Sequence, residues 1–145
     1  MRKILLFSII AICLSGIAYA FGQVKYSEQF IHRFSLCGAY SESQESKIST
    51  GDRQMPIAHL KSTISVVGIR NGKCAIRYNI YVKEMMKDIV LVNCAFTQEQ
   101  HTSLLQKMKA AQQDETAREK LKQTMENYIK NRPDVCTYRN YMNED

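Results

Sequence analysis

A chain of 145 residues with 45% apolar and 23% charged side chains has the composition of a folded globular protein with a single domain's worth of core. Its 20 Lys and Arg against 14 Asp and Glu leave a formal charge of +6, and the basic residues are not interleaved with aromatics along one strand or helix, so the pattern of a nucleic-acid-binding face is missing. Five cysteines occur without a C-x-x-C pair, which removes the local signatures of a zinc site and of a thiol–disulfide oxidoreductase.

The chain opens on Arg2 and Lys3, an apolar run over residues 4–17 and the triplet Ala18-Tyr19-Ala20, the three parts of a secretory signal peptide. The run is shorter than the about 20 apolar residues a membrane span requires. Cys13 follows Ile12, where lipid attachment needs a small side chain, so no lipid anchor is expected. Cleavage near Ala20 leaves 145 − 20 = 125 residues as one domain over 21–145, with the charge reduced to 6 − 2 = +4 by the loss of Arg2 and Lys3. The expected location is therefore the periplasm or the extracellular space, and the mature protein is not expected to span a membrane.

Residues 24–37 read as a first helix, with Tyr26, Phe30, Phe34 and Cys37 along one stripe and Gly38 as its stop. Residues 39–56 are rich in Ser, Glu, Gln and Thr and lack apolar periodicity, which reads as a long mobile loop. Long connections often carry binding residues, so Tyr40, Glu42 and Glu45 are the candidate partner-contacting side chains.

Residues 57–96 read as a three-stranded antiparallel meander hinged on Asn71-Gly72, the dipeptide that best accepts the two positive φ angles of a type I′ turn. Turn length sets the register: Arg70 opposite Lys73 places Ile69 against Cys74, Val67 against Ile76, Ser65 against Tyr78 and Thr63 against Ile80. In the second strand Cys74, Ile76, Tyr78, Ile80 and Val82 alternate with Ala75, Arg77, Asn79, Tyr81 and Lys83, the period of a half-buried strand. The third strand, 88–96, adds Val90, Val92, Cys94 and Phe96 to the inner face. On this register Ile64, Val66, Tyr81, Ile89 and Leu91 project from the outer face, so part of that face calls for a cover, and the 88–96 strand reads as an edge that is apolar on both sides.

Thr97 and Gln100 form a capping-box pattern ahead of Leu104, Leu105, Met108 and Ala111. Asp114 suits the start of a second helix bearing Ala117, Leu121, Met125 and Tyr128, so one or two C-terminal helices are expected, placed over the remaining apolar surface. Arg132-Pro133 ends the helical pattern. The tail through Cys136 has no periodicity, and its last residues, 143–145, are expected to fray.

Four cysteines survive cleavage, Cys37, Cys74, Cys94 and Cys136, an even count that predicts two disulfides in an exported domain. A Cys74–Cys94 bridge is disfavoured, since the register offsets the two along adjacent strands beyond the about 7 Å Cα limit. Cys37 then pairs with Cys74 or with Cys94, and Cys136 takes the other.

The three histidines, His32, His59 and His101, lie at no ligand or triad spacing, and no phosphate loop, nucleophile elbow or calcium loop is present. Neither catalytic residue, metal nor cofactor is expected. The stretches Ser35-Leu36-Cys37-Gly38-Ala39-Tyr40-Ser41-Glu42-Ser43, Asn71-Gly72-Lys73-Cys74 and Asn93-Cys94-Ala95-Phe96-Thr97 resemble small exported bacterial four-cysteine proteins of unknown function, over residues 34–105. The resemblance implies an exported compartment and a helix, meander, helix order, and it implies no activity.

These readings give an α+β domain, an N-terminal helix packed on a three-stranded antiparallel meander followed by one or two C-terminal helices, with two disulfides. The expected role is that of a non-enzymatic binding or accessory module of the cell envelope with an envelope or extracellular protein or polymer as partner. The alternatives are a structural or oligomeric component, a homodimer pairing through the 88–96 edge strand, and a small secreted hydrolase.

Overall fold

The computed structural model describes residues 26–142. The expected signal peptide, the expected helix start at residues 24 and 25 and the expected frayed end at 143–145 lie outside them. The elements run α1 (Glu28–Ser35), β1 (Tyr40–Ser49), β2 (Ile57–Arg70), β3 (Lys73–Val82), β4 (Lys87–Phe96), α2 (Gln98–Ala111), α3 (Glu115–Asn131) and β5 (Cys136–Asn140). All strands join one antiparallel sheet in sequence order, β1-β2-β3-β4-β5. The fold is α+β, and the sheet has five strands where a three-stranded meander was expected.

Both additional strands come from segments whose own side chains carry little apolar pattern. The expected mobile loop 39–56 is mostly β1, which pairs with β2 along its whole length from Tyr40↔Val66 to Ser49↔Ile57. Only Tyr40 and Ile48 in it are apolar, and hydroxyl contacts across the pair replace the missing apolar ones: Ser41 Oγ donates to Ser65 Oγ at 2.7 Å, and Ser43 and Thr63 hydroxyls meet at 2.8 Å. The tail forms β5, held beside β4 by the register Val90↔Asn140 to Cys94↔Cys136. The 88–96 strand is therefore not an edge; it lies between β3 and β5.

Two bulges set which side chains reach the core. Asn71 and Gly72 have φ of 51° and 74°, as the type I′ turn requires, and Arg70↔Lys73 and Ile69↔Cys74 follow from it. The register then slips between Val66 and Gly68, where Gly68 adopts φ 109°, and Val66, Ile64 and Ser62 face Ile76, Tyr78 and Ile80. A second slip leaves Ile89 unpaired between Ile80↔Val90 and Tyr81↔Asp88. Ile64, Val66 and Ile89, expected on the outer face, are thereby buried.

All three helices contribute to the one buried core. Phe30 and Phe34 of α1, Leu104 and Met108 of α2, and Leu121 and Met125 of α3 are fully buried with Phe96 and Ile76 of the sheet. The neighbours of α1 are chiefly β1 and α2 rather than the meander on which it was expected to pack. Its stop also differs. The Cys37 N–H donates to the Phe34 carbonyl and the Gly38 N–H to that of Arg33, a Schellman arrangement whose left-handed residue is Cys37 (φ 48°) and not Gly38. Thr97 and Gln100 form the full capping box on α2, and Asp114 accepts from the Thr116 N–H to open α3.

The disulfides are Cys37–Cys74 and Cys94–Cys136, with Cα separations of 5.7 and 4.1 Å. The first ties the end of α1 to β3 and the second crosses β4 to β5. Closing loops of 37 and 42 residues, each restricts the unfolded chain by about 4 kcal/mol in the chain-entropy description. Among the described residues, no helix is long and apolar enough to cross a membrane.

Candidate functional site: the open face of the sheet

Alternation along five strands assigns each residue a side. With the helices on the inner side, the outer face carries two rows across the sheet: Ser41, Ser65, Arg77, Asn93 and Thr137, then Ser43, Thr63, Asn79, Leu91 and Arg139. None of these side chains is buried. The cover expected over the outer face is not found among the described residues, because the bulges have already turned its larger apolar residues inward and α2 and α3 pack on the other side.

This face is polar, with a cationic excess. Lys47, Lys61, Arg77 and Arg139 stand on it against Glu45 and Asp88, and none of the four takes part in the ion pairs formed among the described residues. Two groups are already oriented. Arg77 donates from Nε to Asn93 Oδ1 at 2.9 Å, which fixes the guanidinium plane and leaves its terminal nitrogens available, and Asn79 donates to Asp88 at 2.8 Å. At one end of the face a shallow depression of about 390 Å³ lies over the paired Ala75 and Ala95, with Arg70, Arg77, Asn93 and Thr137 around it. Small side chains on the floor and donors on the walls suit a polar group lying against the strands, although the Asp134 carboxylate, paired with Arg132, also lines the depression.

The three residues singled out on the expected loop separate into different roles. Tyr40 is half-buried beside Phe30, ring centres 6.3 Å apart, and its hydroxyl donates to Gln29. Glu42 accepts from the Ser27 hydroxyl and from the Ser27 N–H, while the same hydroxyl accepts from the Phe30 N–H at 2.9 Å. Glu42 thus adds negative charge to the start of α1, a structural position. Glu45 alone is exposed without a bonded partner, on the edge strand β1.

The histidines do not converge. His32 is exposed in the last turn of α1, and the His101 ring donates from Nε2 to the Phe34 carbonyl at 2.6 Å, joining α2 to the end of α1. His59 meets Glu84 through its Nδ1, and its backbone N–H donates to the other carboxylate oxygen at 2.9 Å. The ring contact first, and then the backbone one, lower the Glu84 carboxyl to about 2. This pair clamps the β3–β4 turn to the start of β2 on an open surface, with side-chain exposures of 45% and 27%, so it lacks the enclosure that gives a histidine–carboxylate pair catalytic leverage. Among the described residues no three His, Cys, Asp or Glu side chains are placed to hold a metal ion.

Sequence reasoning missed Glu84 as the partner of His59 and missed the outer-face rows. The alternation Arg77, Asn79, Tyr81 was visible, but Arg139 and Ser41 join that face only through strands the periodicity did not announce. No family model matches the chain, and neither the curated proteins nor the solved structures compared with it contain a match.

Proposed function

We propose that the chain is an exported binding module of the cell envelope that engages an anionic partner through the outer face of its sheet. The observation carrying this reading is the one-sided architecture: a five-stranded sheet whose apolar side is filled by helices and whose other side presents Arg77, Arg139, Lys61 and a field of hydroxyl and amide groups to solvent. Export is supported by the leader-like residues 1–20 and by two disulfides, which are consistent with an oxidising compartment. The test is co-sedimentation of the purified, oxidised protein with an envelope fraction. Arg77→Glu combined with Arg139→Glu should weaken retention about tenfold or more at low salt while leaving thermal stability nearly unchanged, since both side chains are exposed. Undiminished retention of that double variant would move the binding site off this face.

A further inference from the structure

We propose that two copies of the chain join edge to edge through β1, antiparallel about a two-fold axis at Ser46, to make one continuous sheet. β1 is an edge strand of ten residues, twice the length of β5 at the other margin, and it pairs with β2 without a bulge and contains no proline. It therefore lacks two of the usual devices that keep a free edge from pairing.

The direction of its free groups follows from one hydrogen bond. The Thr50 N–H donates to the Pro56 carbonyl, which continues the β1–β2 ladder, so in the antiparallel alternation the even-numbered residues of β1 turn their backbone groups towards β2. Ser43, Glu45, Lys47 and Ser49 then turn theirs outward. A two-fold axis perpendicular to the sheet at Ser46 pairs these outward residues with one another: Glu45 with the second copy's Lys47, Lys47 with its Glu45, and Ser43 with its Ser49. Both charged pairs are attractive and lie on the same face. Moving the axis by one residue either way places Glu45 opposite Glu45 or Lys47 opposite Lys47, so the charges select the register as well as favouring it. Sterically the inner side permits it. α1 is attached over Tyr40 and Glu42, whereas Gln44 and Ser46 are exposed, so the two α1 helices fall at opposite ends of the joint. This edge replaces the 88–96 strand as the site of self-pairing; its charged pairs share the outer face, but they lie on β1, away from the Arg77 and Arg139 positions whose variants test the outer-face reading.

Sedimentation velocity over a range of concentrations tests the joint on the oxidised protein. A concentration-dependent dimer is expected, weakened about tenfold or more by either Glu45→Lys or Lys47→Glu, because each single change sets like charges opposite at both pairs. Mixing the two single variants should restore association as a heterodimer, and so should the exchange Glu45→Lys with Lys47→Glu in one chain. Both side chains are exposed, so the fold does not depend on them. A monomer at every concentration, a dimer indifferent to the single changes, or a mixture that associates no better than its components would overturn the proposal.

Discussion

At Glu84 a single carboxylate holds a turn in place, and its chemistry gives the molecule a pH-dependent element. The His59 ring and backbone N–H stabilise the ionised form, so its folded value is about 2 against 4.5 for the unperturbed side chain. A depressed carboxyl contributes stability that is fully present above its unfolded value and is lost as the pH falls through the folded one. Melting temperature measured from pH 7 downward should therefore show Glu84→Gln less stable than the native chain near neutrality, with the gap closing as pH falls from 4.5 towards about 2. A constant gap over that window would mean that the carboxylate's charge is not the source of the effect. Cys37 shows a different compromise at the same scale. It occupies the left-handed position that glycine would take most easily, because the bridge to Cys74 requires its sulfur there, and Gly38 merely follows.

Among the elements, the bulge at Val67–Gly68 has the widest consequences. Beyond it Ile64 and Val66 face the core; without it Thr63 and Ser65 would, and the hydroxyl contacts to Ser43 and Ser41 would be lost. Gly68 makes the bulge possible at φ 109°, a region that side chains with a Cβ adopt only under strain, and a Cβ there would meet nothing nearer than the Cys37 carbonyl oxygen at 3.8 Å. Gly68→Ala should thus cost about 1 to 2 kcal/mol in urea denaturation, from backbone strain and not from crowding. A neutral substitution would show that the slip does not depend on glycine. The hairpin, the capping box and Asp114 were legible in the sequence because each is decided within a few residues of chain. The register past Gly68 was not, since a turn fixes pairing only as far as the first irregularity, although a glycine inside a strand is itself the local signal of a bulge. β1 was hidden for a related reason. An edge strand with one weakly buried face needs few apolar residues, so its pattern matches that of a polar loop until its partner is known.

For the molecule as a whole, the buried side chains of the sheet gather on one side, and the other side holds only half-buried and exposed ones. Helices α1, α2 and α3 and both disulfides belong to the apolar side, and the rows through Arg77 and Arg139 belong to the open one. Apolar periodicity and cysteine count indicated an α+β domain with two bridges, yet the candidate site could not be assembled from them, because it is made by neighbours across five strands and not by any contiguous motif. The central claim is that this outer face is open in the free protein and closed by an envelope partner. Hydroxyl-radical footprinting read by mass spectrometry, with and without an envelope fraction, tests it most directly. The account predicts that Tyr81 and Leu91 react in the free protein and become protected when the fraction is added, while exposed Leu36 at the end of α1 continues to react. Tyr81 and Leu91 unreactive in the free protein, or equally reactive in both conditions, would contradict it.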